Sequence, residues 1–212
     1  MSEPISVRAR FERFPATVKG AFIFRGEDPE PHQVVLRGAR VISIGPGSSS
    51  DVPMAPVTLD VVPHRDLFVP FELPVSELDP GWYTLVCDVD VDGSADTYDG
   101  GRRFAVAWPR ATVRRGVVKV ERVVDLGDAT VRIEQLDCGG ESAKLQLLVE
   151  PPGPVAVKLS ADGRRLDVLE TEIDEATGRG KVTAYPVLRT VSTIRINLKR
   201  RGAEASLDVA LD

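Results

Sequence analysis

Apolar and polar side chains alternate along most of this chain. At its start Ile5, Val7, Ala9 and Phe11 interleave with Ser6, Arg8, Arg10 and Glu12, the period-two signature of a strand with one buried face. The same habit recurs at residues 17–24, 33–44, 57–62, 67–73, 82–91 and 102–108. It returns at 117–124, 130–136, 143–149, 155–160, 166–173, 181–188, 193–199 and 205–211. Clusters such as Gly45-Pro46-Gly47, Asp79-Pro80-Gly81, Asp92-Gly93, Asp99-Gly100-Gly101, Cys138-Gly139-Gly140, Asp162-Gly163 and Arg201-Gly202 separate the runs as turns. Asp162-Gly163 predicts a two-residue hairpin, because both residues tolerate positive φ. No segment holds a capped 3.6-residue period.

About fifteen short strands at roughly ten-residue spacing predict an all-β chain of sandwiches or barrels. One sandwich takes seven to nine strands in about 100 residues, so 212 residues predict two in tandem. Pro109 interrupts the alternation after Trp108, which sets the expected domains at 1–109 and 110–212. Residues 1–110 hold 11 Lys/Arg against 16 Asp/Glu, and the rest hold 16 of each, so the first domain carries the whole net charge of −5. No Gly/Ser-rich or Pro-rich stretch marks a linker, so a tight junction is expected.

Residues Asp79-Pro80-Gly81-Trp82-Tyr83-Thr84-Leu85-Val86-Cys87 resemble the tyrosine-corner strand of immunoglobulin-like domains, as found in bacterial β-sandwich modules. The resemblance implies two tandem immunoglobulin-like antiparallel β-sandwiches, with Tyr83 hydrogen-bonded back to the turn and Cys87 on the strand. Cys87 follows Tyr83 by four residues where antibody-type domains place it two after, and no Cys lies upstream. Nine residues of likeness identify an architecture and no activity.

Among candidate chemistry, Asp88-Val89-Asp90-Val91-Asp92-Gly93, followed by Asp96 and Asp99, comes first. It shares the Asp-x-Asp-x-Asp-Gly of a calcium loop, which needs six to eight oxygens, but Asp99 stands where the bidentate Glu belongs. Strand alternation accounts for the same spacing, with Val89 and Val91 inward. His64-Arg65-Asp66-Leu67 copies the start of a kinase catalytic loop without its Asn or its glycine-rich partner. The Gly/Ser cluster at residues 45–51 lacks the Lys-Ser/Thr ending of a phosphate loop. His32 and His64 both follow prolines in turn-like segments, neither beside a nucleophile elbow. The arginine pairs at 102–103, 114–115 and 164–165 and the tip at 199–201 read as solvated charge at turns and sheet edges.

The strand Leu67-Phe68-Val69-Pro70-Phe71 is apolar on both faces, which marks Leu67, Phe68 and Phe71 as interaction candidates. Trp108, at the expected junction, joins them. The leading expectation is therefore a non-catalytic adaptor or structural subunit that meets a protein partner or its own copy through sheet edges. No catalytic residue and no cofactor are expected. The acidic balance and sparse aromatics argue against nucleic acid and membrane surfaces. Two cysteines and no basic-then-apolar start give a cytoplasmic expectation. The alternative is a calcium- or carbohydrate-binding module, with Asp88, Asp90, Asp92, Asp96 and Asp99 as the metal ligands.

Overall fold

A computed structural model describes residues 3–45 and 49–211. The chain divides into two compact units, Met1–Val106 and Ala107–Asp212. Their described residues form strands and turns without helix.

The first unit contains β1 (Ile5–Arg13), β2 (Thr17–Gly26), β3 (His32–Ser43), β4 (Ser50–Val52), β5 (Val57–Val61), β6 (Asp66–Pro74), β7 (Gly81–Val91) and β8 (Ser94–Val106). One sheet runs β1-β2-β6; the other runs β4-β3-β7-β8, with β5 also paired to β3. In the lettering of immunoglobulin domains this is A-B-E facing C′-C-F-G. Ile5, Val7 and Ala9 of β1 meet Leu85, Cys87 and Val89 of β7 in one core, and Phe22, Phe24 and Tyr83 are essentially fully buried in it.

The second unit contains β9 (Gly116–Asp125), β10 (Thr130–Cys138), β11 (Ala143–Glu150), β12 (Ala156–Ala161), β13 (Arg164–Leu166), β14 (Val168–Ile173), β15 (Arg179–Ala184), β16 (Thr193–Arg200) and β17 (Ala203–Ala210). Its sheets run β14-β15-β11-β10-β9 and β13-β12-β16-β17. With β10 as strand A this is D-E-B-A facing C′-C-F-G, and β9 is an extra strand on the A edge. Both units are immunoglobulin-like antiparallel sandwiches. Alternation built the second core too, with a bulge at Glu134 shifting its phase in β10: Val131, Ile133 and Leu136 pack with Ile194, Ile196 and Leu198 of β16.

Three hairpins follow from residue-plus-glycine pairs. Asp92-Gly93, Asp162-Gly163 and Arg201-Gly202 all have both residues at positive φ, the backbone that matches strand twist in a two-residue turn. Three expectations differ from the structure. The expected turn at Asp99-Gly100-Gly101 is a bulge inside the continuous strand β8, with Gly101 at φ 72°. The expected run 166–173 breaks at Asp167 into β13 and β14, which belong to different sheets. The run 181–188 stops at Ala184, because Tyr185 N–H turns to the Asp167 carbonyl and Pro186 has no donor. Of the Gly/Ser cluster, Ser50 and Asp51 begin β4 while residues 46–48 lie outside the described residues.

Candidate interaction surface

The outward face of the β1-β2-β6 sheet is assembled by register. Arg8 aligns with Ile23 and Phe68, and Arg10 with Ala21 and Pro70; Ser6-Arg25-Asp66 and Glu12-Lys19-Glu72 flank these rows. Phe68 is 61% exposed while Ile23, its neighbour, is buried. A groove of about 480 Å³ runs past Arg8, Arg10, Ile23, Asp66 and Phe68, walled on its far side by Gly100, Gly101 and Arg102 of β8.

Glycine makes that wall. A Cβ on Gly100 would sit 2.7 Å from the Ala9 Cβ and 3.0 Å from the Leu85 carbonyl oxygen, so β8 approaches β1 only because the side chain is missing. Asp99 fixes the bulge by accepting the Gly101 N–H at 2.9 Å and the Thr84 hydroxyl at 2.8 Å. The chain then delivers Arg102 beside the groove, its guanidinium 5.4 Å from the centre of the Phe11 ring.

The other apolar candidates lie elsewhere. Phe71 is in the core, its ring centre 4.9 Å from that of Phe22. Leu67 packs partly buried against the same core. Trp108 is half-buried in the second unit, edge-on to Tyr185 at 5.4 Å. Phe68 alone of these four projects into solvent. Among the described residues the strand that carries it pairs only with β2, and both Pro70 and Pro74 lie on it. They are four residues apart, so their missing N–H groups fall on one side of the ladder. A strand with one partner tolerates proline on its free side, so this edge has lost donors to an added strand.

The five aspartates do not converge. Asp88 accepts two hydrogen bonds from Arg40, at 3.1 and 2.9 Å, and one from the Thr97 hydroxyl at 2.9 Å. Burial pushes its pKa up, but those donors outweigh it and hold the carboxyl below its ordinary value. Asp90 is paired with Arg37, the extra residue of a bulge in β3. Asp92, at the β7–β8 turn, accepts the Gln33 N–H at 2.9 Å. Asp96 registers with Val89, whose side chain is in the core, and so lies on the sheet face opposite Asp88 and Asp90. Asp99 is occupied by the bulge. Among the described residues no group of three or more His, Cys, Asp or Glu side chains is placed to hold a metal ion.

His32 was expected on an exposed turn. It instead opens β3 with its side chain 10% exposed, Nδ1 lying 2.6 Å from Asp92 Oδ2 and Nε2 lying 2.8 Å from Asp28 Oδ1. The hydrogen bond to Asp92, then that to Asp28, raises the His32 pKa. The same histidine lowers both carboxyls. It joins the β2–β3 loop to the β7–β8 turn with both ring nitrogens engaged. Cys87 and Cys138 are buried free thiols; burial pushes Cys87 up to about 12 and raises Cys138 as well. The tyrosine corner is formed, with Tyr83 O–H donating to the Asp79 carbonyl at 2.8 Å. The tip at 199–201 is only partly solvated. Arg200 is buried, donating to the Pro151 carbonyl at 2.9 Å and pairing with Asp128 at 3.3 Å.

Comparison with known proteins finds no matching family model and no matching curated protein. Solved structures align along the chain at low identity. A conserved domain protein from Bacillus anthracis is 11% identical over 100% of this chain and 88% of its own, with a TM-score of 0.34. A marsupial T cell receptor is 12% identical over 99% of this chain and 63% of its own, with a TM-score of 0.27. The immunoglobulin-like assignment rests on the strand order and the tyrosine corner.

Proposed function

We propose that the chain is a non-catalytic protein-interaction module, an adaptor or structural subunit that works through sheet surfaces. The observation that carries this reading is Phe68, a large aromatic 61% exposed on strand β6 beside an open groove. The state of the reactive groups supports a non-enzymatic role. Both His32 nitrogens are bound to carboxylates, and the Cys87 thiol is far from its ionised form at neutral pH. Two buried free thiols favour a reducing compartment such as the cytoplasm. Pairing of Asp88 and Asp90 with arginines sets this reading ahead of a calcium module.

The test is photo-crosslinking in the cells that make the protein. A photoreactive residue is placed singly at Phe68, Val117 and Val123, the three most exposed large apolar positions, and at Glu77 as a control. A discrete protein adduct from an apolar position, absent from the control, is expected. No discrete adduct from any of the three overturns the reading.

A further inference from the structure

We propose that the groove on the outward face of β1-β2-β6 binds an acidic segment of a partner protein. An apolar side chain of that segment rests on Phe68 and Ile23, and its carboxylates meet Arg10 and Arg102. This deepens the interaction reading above and depends on it.

Charge selects the occupant. Acids outnumber bases 16 to 11 in residues 1–110, yet the groove is lined by Arg8, Arg10 and Arg102 with the single carboxylate of Asp66. That carboxylate is already shared by Arg8, at 3.1 Å, and Arg25, at 3.7 Å. Among the described residues no carboxylate lies within ion-pair distance of Arg10 or Arg102. Arg10 on β1 and Arg102 on β8, the latter also over the Phe11 ring, therefore stand together along one side of the apolar floor that Ile23 of β2 and Phe68 of β6 supply. Arginine suits this task, since its planar fork takes carboxylate in two hydrogen bonds.

Size and surroundings select a short segment. Three strands at about 4.8 Å spacing give the face a width of roughly 10 Å, enough for one extended peptide. Below it, the Glu12-Lys19-Glu72 row brings two carboxylates against one lysine, and the rest of the unit is acidic. A long polyanion would meet repulsion on leaving the groove; a segment with a few acids around one apolar residue would not. Pro70 and Pro74 blunt strand addition at the neighbouring edge, so recognition runs through side chains on the face.

The test selects a random peptide library on the full-length protein and measures the winning peptides by fluorescence polarisation. Enrichment of Asp and Glu around an aromatic or aliphatic residue is expected. Affinity should fall about tenfold or more in Arg10→Glu/Arg102→Glu and about thirtyfold in Phe68→Ser, and it should weaken as salt rises. All three substituted side chains are exposed, so unchanged melting of the variants keeps the comparison one of binding. Selection without acidic enrichment, or winners indifferent to these variants, overturns the proposal. If that happens while crosslinking at another apolar position still yields a protein adduct, the interaction reading survives and the groove assignment falls; if crosslinking fails at every position, both fall.

Discussion

Replacing Tyr83 with Phe removes one oxygen from the corner of the first sandwich. The hydroxyl donates to the Asp79 carbonyl at 2.8 Å, while the ring is 1% exposed and stacks on Phe104 at 5.7 Å. A neutral hydrogen bond contributes about 0.5–1.5 kcal/mol net, and more when the abandoned partner is buried. Asp79 is exposed, so water can replace the lost donor, and the expected cost is about 1 kcal/mol. Tyr83→Ala also empties the aromatic site, and loss of a buried ring costs about 3–5 kcal/mol. The chain has two tryptophans, Trp82 in the first unit and Trp108 in the second. In a Trp108→Phe background, urea unfolding followed by fluorescence therefore reports the first unit. With a slope of about 1–3 kcal/mol/M, Tyr83→Phe should lower the midpoint by about 0.3–1 M. A Trp82→Phe background should show no change in the second unit. An unmoved first-unit midpoint would refute the corner as a stabilising contact, and equal losses for Phe and Ala would refute the packing contribution of the ring.

Other outcomes follow from the same geometry. Asp28 and Asp92 titrate below their ordinary 3.8 and His32 above its ordinary 6.5. The carboxylates' contribution is thus present above 3.8 and lost as pH falls through their lowered values. That of His32 is present below 6.5 and lost as pH rises through its raised value. Melting of the first unit should accordingly be highest in the mildly acidic range and begin to decline as pH rises above 6.5. His32→Gln should remove the part of the decline that begins there, while the buried Cys87 thiol still lowers stability above pH 9 in both proteins; an unchanged profile between mildly acidic and neutral pH would contradict the cluster. Arg200→Met leaves Asp128 and the Pro151 carbonyl without their buried donor, at an expected cost of about 2–4 kcal/mol read from Trp108 in urea. Exposed Arg201→Ala should cost under about 1 kcal/mol, and equal effects would show that burial is not what matters. Millimolar calcium should leave the melting temperature where a chelator leaves it, since Asp88 and Asp90 already have arginine partners. A clear upward shift would restore the acidic stretch as a metal site.

Alternation alone determined most of the fold. Period two fixes which face of each strand is apolar, so Ile5, Val7 and Ala9, or Val89 and Val91, were legible as core from the sequence. Asp-Gly pairs likewise announced their hairpins, because positive φ is a local property. The sequence also supplied the tyrosine corner and the number of sandwiches. Partnership across strands was not legible. That Arg40 neutralises Asp88, that His32 meets Asp92, and that Arg8 shares a row with Ile23 and Phe68 are facts of register between segments far apart in the chain. The Asp99-Gly100-Gly101 cluster has the composition of a turn. It became a bulge because Gly100 had to pass within van der Waals distance of Ala9 on a strand ninety residues earlier. Local preference sets each strand and its faces; only closure of the sheets decides which charges are brought together as partners.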